Sequence, residues 1–288
     1  MVATITSIGA DGDGLAEING KRIFVPFSAP GDALRVNIYG ERGEILEILE
    51  PGPDRAAAPC KHFGECGGCA LQHLSDGYVA GWKRQQVAAL LKRQNIETDV
   101  RPTQTCPPAT RRRASFAVER NGRTVHIGFR PRLSHRVVSL QECYVLNPVI
   151  LRALPGIAAL ASPFIGAKTQ ARISVTLSDT GLDVNIDTGK SPQLTLADHT
   201  RFAKAADALD LARLSFNLEP MAVRRAPVVH FAGQPVAIPP GAFLQASNQG
   251  QAALTALVLE ALGEGGGKLL DLFAGCGGFS FPAAQKYQ

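Results

Sequence analysis

Three cysteines lie within ten residues of one another, and they constrain the fold of this chain more than any other feature. Cys60, Cys66 and Cys69 form a C-x5-C-x2-C pattern in the segment CKHFGECGGC. Its glycines allow tight turns that aim several thiols to one side. Six cysteines in 288 residues are too few for a disulfide scaffold, and we see neither a signal peptide nor a membrane span. The pattern therefore predicts a metal site in a cytoplasmic protein.

The metal site needs a fourth ligand, for which Cys143 in LQECYVL is the best candidate. Four thiolates suit either a [4Fe–4S] cluster or a structural zinc ion. We favour iron and sulfur because zinc sites usually pair two close cysteine knuckles, but the spacing alone does not decide. Cys106 and Cys276 are interpreted as ordinary small residues, and His62 and His73 as neighbours of the cluster rather than its ligands.

The net charge of +5 is unevenly distributed. Residues 1–54 carry four Lys and Arg against nine Asp and Glu, residues 55–143 carry fifteen against six, and residues 145–288 carry eleven against ten. A positive field concentrated around the cysteines favours a polyanion partner, because phosphate neutralisation supplies most of the affinity for nucleic acid.

The chain is predicted to be multidomain. Short strands separated by Gly, Asp and Pro turns over residues 1–52 indicate a small OB-like β-barrel. Residues 53–230 are predicted to form an α/β middle domain that carries the cysteine loop, and residues 231–288 the start of a Rossmann-like domain. Since a doubly wound sheet needs several more βα units after the last motif, we expect the chain to stop inside a domain.

Hydrophobic periodicity predicts the elements of the middle domain. Around the turn Asn121-Gly122, alternating apolar residues indicate a hairpin. Two further strands, 172–177 and 182–186, are expected to pair. Helices are predicted at 78–94, with Trp82 in the core, at 147–161 with an interruption at Pro155, and at 197–214.

A glycine-rich turn follows a predicted strand in KLLDLFAGCGG, and a helix is expected after it and another at 249–262. Asp271 ends the strand, and Gly275, Gly277 and Gly278 allow backbone to approach a ligand at the sheet edge. An acid here, without Gly-Lys-Ser or Gly-Lys-Thr, argues against a triphosphate loop and for an adenosyl ligand with a charged amino-acid portion. S-adenosylmethionine fits best, and NAD is second.

Arginines cluster at the start of the hairpin and near its end. Their planar guanidinium groups suit phosphates, which they can bind with two parallel hydrogen bonds. The group therefore predicts contact with RNA, and its members are Arg111, Arg112, Arg113, Arg120, Arg123, Arg130, Arg132 and Arg136.

Taken in order along the chain, these motifs resemble the S-adenosylmethionine-dependent RNA uracil-5 methyltransferases, in particular the 23S ribosomal RNA group with an N-terminal TRAM domain and a [4Fe–4S] cluster. The resemblance extends over the whole chain and implies that residues 1–52 form the TRAM domain. It also implies that the cluster is held by Cys60, Cys66, Cys69 and Cys143.

Two motifs of the family carry over to the cofactor. The segment FLQASN is similar to the family's F-x-Q-x-N, with Gln245 as a cofactor contact and the asparagine one place late, at Asn248. The segment LLDLFAGCGGFSFPAA is similar to the family's glycine loop, so Asp271, Phe273, Gly275 and Gly277 are implied as cofactor contacts, while Gly278 replaces the usual asparagine. The partners implied are S-adenosyl-L-methionine and RNA, and we expect a monomer.

The implied chemistry requires a cysteine that adds to C6 of uracil and a base that removes the C5 proton. In the family both lie well beyond the glycine loop, and no residue here matches them, so we expect the chain alone to be inactive. Two alternatives stay open, a non-catalytic RNA-binding module with the iron–sulfur site, and a DNA cytosine-5 methyltransferase, whose first motif also resembles DLFAGCGG. The upstream cysteines argue against the second.

Overall fold

A computed structural model describes residues 1–122, 124–132, 134–166, 171–189 and 193–287 of the chain. Contacts between residues divide the chain into two compact units, Met1–Thr105 and Cys106–Gln288. The three-domain division at 52/53 and 230/231 stays a prediction.

The first unit is built on a sheet that, within the described residues, has six strands in the order β1-β5-β6-β4-β3-β2. Neighbours are antiparallel except β4 and β6, which meet in parallel at Phe24 and Arg42. Alternating residues such as Ile23, Val25 and Leu34 form its core, as the short-strand pattern predicts. The strands are β1 (Val2–Thr4), β2 (Ser7–Ile8), β3 (Gly14–Ile18), β4 (Lys21–Val25), β5 (Ala33–Tyr39) and β6 (Arg42–Glu50).

Helix α1 (Asp76–Arg93) follows the six strands in the first unit. Its N-cap is Ser75, whose hydroxyl accepts a hydrogen bond from the Tyr78 amide. The helix confirms the prediction, but its apolar face packs only at the N-terminal end. Trp82 is half-buried against Leu71 and Leu74 and donates to the Ile8 carbonyl at 3.2 Å, whereas Val87 and Leu90 are exposed.

The second unit is centred on a sheet that shows seven strands in its described part, ordered β13-β12-β11-β10-β7-β8-β9. The predicted hairpin is confirmed, with Asn121 opposite Thr124, and so is the pairing of 172–177 with 182–186. The strands are β7 (Arg113–Asn121), β8 (Thr124–Phe129), β9 (Val138–Ser139), β10 (Ala171–Ser178), β11 (Gly181–Asp187), β12 (Leu211–Phe216) and β13 (Glu219–Val223).

Two helices cover one face of this sheet. Helix α2 (Pro148–Ala161) begins with proline at its first turn and buries one side, and α3 (Leu196–Ala208) begins with a capping box of Thr195 and Asp198. The predicted interruption at Pro155 is wrong, because α2 continues through that residue. Buried residues of α2, among them Ile150, Leu154 and Ile157, form the core with Phe116 and Ile173.

The predicted helix 197–214 is wrong in its last part. Leu211–Phe216 is strand β12, and all six residues are buried. Strand β12 runs parallel to β11, and a parallel neighbour requires a crossover, which α3 supplies. The sequence LARLSF is short and has no clear periodicity, so burial in the sheet decides its conformation.

The described C-terminal part of the second unit contains a hairpin and two helices. The hairpin packs Val229 and Phe231 against Ile238 and Leu244, and the predicted helix 249–262 is confirmed. The segment KLLDLF is not a strand: no described strand pairs with it, and Leu270 is 80% exposed. The elements are β14 (Val228–Phe231), β15 (Gln234–Ala237), α4 (Asn248–Leu262) and α5 (Ser280–Ala283).

Candidate functional site

Arg112 joins the first residues of the hairpin to the segment that contains Gln245. Its amide donates to the Ala246 carbonyl at 2.8 Å, its Nε donates to the Gln245 carbonyl at 3.1 Å, and its Nη1 donates to Asn248 Oδ1. The side chain is only 6% exposed, and burial lowers its pKa. The sequence predicts Arg112 as an RNA contact, whereas the structure places it inside the protein as a clamp on this segment.

Arg113 lies beside the same segment. Its guanidinium carbon is 4.2 Å from the centre of the Phe243 ring, a cation–π contact. Burial and the neighbouring Arg111 lower its pKa. Its Nε is buried without a hydrogen-bond partner in the part of the chain that the structure describes.

The other arginines of the predicted RNA surface differ in exposure. Arg111 and Arg132 are exposed and Arg130 is half-buried. Arg120 has a structural role, since its side chain donates hydrogen bonds to the carbonyls of Ser162 and Ile165 after α2. Arg123 lies outside the described residues. Among the described members of the predicted RNA surface, Arg111, Arg132 and Arg136 are therefore the exposed ones.

The glycine turn contacts helix α4, which follows the Gln245 segment directly. Gln251 Nε2 donates to the Gly278 carbonyl at 3.1 Å, and the Thr255 hydroxyl donates to the same oxygen at 3.3 Å. The cap of α4 is Ser247, which accepts from the Gly250 amide. The two segments predicted to contact the cofactor are thus joined through α4.

The glycine turn that contains the predicted cofactor contacts has backbone angles that favour glycine. Gly275 and Gly277 have φ values of +60° and +80°, which glycine adopts without strain. A Cβ on Gly277 would lie 2.6 Å from the Phe281 ring. Asp271 accepts a hydrogen bond from the Ser280 hydroxyl at 2.6 Å, and the Phe273 side chain is fully exposed.

The cysteine loop belongs to the first unit and is joined to its sheet by aromatic contacts. The Phe63 ring stacks on His73 and meets Phe27 edge-on. His73 is buried, its Nε2 lies 3.0 Å from the Ser28 carbonyl, and burial lowers its pKa. The Cys66 amide donates to the His62 carbonyl at 2.7 Å. His73 therefore has a structural role next to the loop.

The structure shows no assembled metal site among the residues that it describes. In that part of the chain, no three His, Cys, Asp or Glu side chains are grouped as ligands. Cys60, Cys66 and Cys69 lie in the first unit, and Cys143 lies in the second, where its sulfur accepts from the Leu146 amide at 3.4 Å. The four ligands stay a prediction from sequence.

Sequence reasoning missed the role of Arg112 and the polar face of the sheet next to it. The sequence did contain a sign of the role of Arg112. The period-two pattern of the hairpin places Arg112 on the same face as the buried Phe116, opposite to the face of Arg113. Sequence reasoning also missed the buried pair of Arg213 and Asp183, whose side chains form two hydrogen bonds of 2.7 and 2.8 Å. Its partners lie on different strands, which no local pattern reveals.

Known proteins resemble this chain at the level of family and of fold. The model of the TRAM domain of tRNA (uracil(54)-C(5))-methyltransferase matches residues 1–43. An uncharacterized RNA methyltransferase of Caulobacter vibrioides is 41% identical over 292 residues, which cover 99% of this chain and 70% of that protein. A relative in Brucella suis, also an uncharacterized RNA methyltransferase, is 37% identical, with 98% and 68% covered.

Two more distantly similar proteins have names that state their RNA substrate. The 23S rRNA (uracil(1939)-C(5))-methyltransferase of Halomonas elongata is 29% identical, with 97% of this chain and 62% of that protein covered. The crystal structure of Pyrococcus abyssi tRNA (uracil-54, C5)-methyltransferase with S-adenosyl-L-homocysteine superposes with a TM-score of 0.71 at 21% identity, covering 99% and 71% of the two chains. The chain therefore shares the fold of that Pyrococcus protein, and it belongs to the RNA methyltransferase family.

No helix in the described part of the chain is long and apolar enough to cross a bilayer.

Proposed function

We propose that the protein methylates C5 of a uridine in RNA, in particular 23S ribosomal RNA, with S-adenosyl-L-methionine as methyl donor. The observation that carries the proposal is the set of Arg112 hydrogen bonds that fixes the Gln245 segment at the start of α4, whose other contacts hold the glycine turn. The uracil-5 activity printed for the Halomonas and Pyrococcus proteins supports the choice of reaction.

In this proposal the cofactor is bound by Gln245, Asp271, Phe273, Gly275 and Gly277. The exposed arginines bind RNA, and the chain acts as a monomer with a TRAM domain at 1–52, an RNA-binding domain at 53–230 and a methyltransferase segment at 231–288. Methyl transfer also needs a thiolate that adds to C6 and a base for the C5 proton. We assign neither role to a residue of this chain.

Calorimetric titration with S-adenosyl-L-homocysteine tests the cofactor site. Gln245→Ala should weaken binding about tenfold, the effect of losing one or two hydrogen bonds. Gln249→Ala is the matched control, because Gln249 is exposed in the first turn of α4, and it should leave the affinity unchanged. Equal effects of the two variants would contradict the assignment of Gln245.

We also propose that Cys60, Cys66, Cys69 and Cys143 hold a [4Fe–4S] cluster. Their spacing supports this, and metal binding often organises a loop that is not preformed. Protein purified without oxygen should contain iron and acid-labile sulfide in equal amounts. Cys66→Ser should remove both, whereas Cys106→Ser should remove neither. Zinc without sulfide in the unmodified protein would overturn the proposal.

A further inference from the structure

A polar cavity of about 200 Å³ lies on the face of the second sheet opposite α2 and α3. It opens between that face and the loop that leads to Phe243. Its lining combines cationic, hydroxyl and amide side chains with backbone, and consists of Arg111, Arg113, Ala114, Ser115, Ser174, Thr176, Asp183, Asn185, Gly241 and Ala242.

The strand register explains why these residues share one face. Arg113 pairs with Thr176 and Ser115 pairs with Ser174 across β7 and β10. Thr176 in turn pairs with Asp183 across β10 and β11. Side chains at paired positions point to the same side of a sheet, so the hydroxyl groups, the amide and the carboxylate form one polar layer.

The lining has a net positive charge in spite of its one carboxylate. Asp183 is neutralised by Arg213, which binds it with two hydrogen bonds and also donates to the Ile238 carbonyl at 2.9 Å. Arg111 and Arg113 are thus the net charges of the lining. Arg113 also carries a buried Nε that has no hydrogen-bond partner among the described residues.

The size of the cavity and the polar groups of its lining fit a nucleobase. A cavity of about 150 Å³ takes a benzene ring when its walls are apolar. This cavity is larger and its walls offer both donors and acceptors, as the edge of a nucleobase requires. Sequence-specific proteins bind unpaired bases in this way, whereas paired bases have their edges occupied.

We propose that the cavity binds one unpaired nucleotide of the RNA substrate, with the base against Ser174, Thr176 and Asn185 and a phosphate on Arg111. The inference rests on the proposed function, since it requires an RNA partner. It adds to that function a site that reads single-stranded RNA on the middle sheet, next to the cofactor segment.

Fluorescence anisotropy with a labelled single-stranded RNA and with the same sequence as a duplex tests the proposal. Thr176→Leu fills the cavity and should weaken single-strand binding about tenfold, the size of one lost base contact, with little effect on the duplex. Thr124→Leu is the matched control, because Thr124 is an exposed strand residue outside the lining. Equal effects of the two variants, or equal loss for single strand and duplex, would overturn the proposal.

The salt dependence of binding tests the phosphate contact separately. Arg111→Gln should reduce the slope of log K against log salt by about 0.7, as for one single-strand phosphate. Arg152→Gln, on helix α2 and also exposed, should change it less. An unchanged slope for Arg111→Gln would overturn the phosphate contact. If the unmodified chain binds no RNA, the proposed function fails; if it binds RNA and Thr176→Leu has no effect, only the cavity assignment fails.

Discussion

Arg112 is a buried cation whose hydrogen bonds hold a carbonyl and an amide oxygen of the Gln245 segment. Arg112→Met keeps the aliphatic length but leaves these acceptors unpaired, so the free energy of unfolding should fall by about 2–3 kcal/mol. Urea denaturation measures this. Arg113→Met should lower the free energy of unfolding by less than about 1 kcal/mol, because the contact of Arg113 with Phe243 is a half-exposed cation–π pair. Equal losses for the two variants would refute the clamp.

Asp32 is a second buried charge, in the first unit. Burial raises its pKa, but hydrogen bonds from the Arg55 side chain and from the Gly52 and Ala29 amides outweigh that effect, so the pKa lies below its ordinary value of 3.8. Such a carboxylate stabilises the fold above the ordinary pKa and loses that contribution as the pH falls through its lower folded value.

Asp32→Asn should therefore lower the free energy of unfolding by about 3 kcal/mol at neutral pH, as expected for a broken buried ion pair. The difference between variant and unmodified protein should shrink as the pH is lowered below about 4. Denaturant titrations at several pH values measure it. A difference that does not change with pH would show that shape, not charge, is what the asparagine disturbs.

At the scale of elements, α2 carries Pro155 in its interior, where proline removes a hydrogen bond and clashes with the preceding turn. Pro155→Ala should raise the free energy of unfolding by about 1 kcal/mol or more. Pro148→Ala is the control, because Pro148 is in the first turn, where proline suits the helix. Thermal denaturation distinguishes them, and stabilisation by the second variant alone would contradict the explanation.

The elements that sequence predicted correctly are those with strong local signals. The hairpin at Asn121-Gly122 and the helices predicted at 78–94 and 249–262 follow from turn chemistry and periodicity. The errors occur where distant contacts decide. Leu211–Phe216 is a strand because β11 and β13 flank it, and the apolar segment before Asp271 is not a strand because no described strand pairs with it.

The candidate site also combines features that were visible in the sequence with features that depend on distant contacts. The motifs that contain Gln245 and Gly277 were visible in the sequence, and the structure joins them through α4. The clamp at Arg112 depends on contacts with residues 245–248, and the cavity lined by Thr176 and Asn185 depends on the pairing of β7 with β10, so both join segments distant in sequence. Composition and spacing carry no record of that pairing.

At the scale of the whole molecule, the chain consists of two compact units. Each has its own hydrophobic core, and we expect the two to unfold separately. We expect calorimetry to resolve two transitions, one lowered by Asp32→Asn and the other by Arg112→Met, with additive effects in the double variant. A single transition that both substitutions shift would show that the units unfold together.

The alternation of side chains at the start of β7 has a consequence for ligand binding. Arg112 points to the Gln245 segment, while Arg111 and Arg113 on either side line the cavity proposed for RNA. A displacement of the start of β7 would therefore change both the Gln245 segment and the cavity. If methyl donor and RNA each bind best when these three residues are ordered, each ligand raises the affinity for the other by the same factor. The protein would then bind its two substrates cooperatively, through three consecutive arginines.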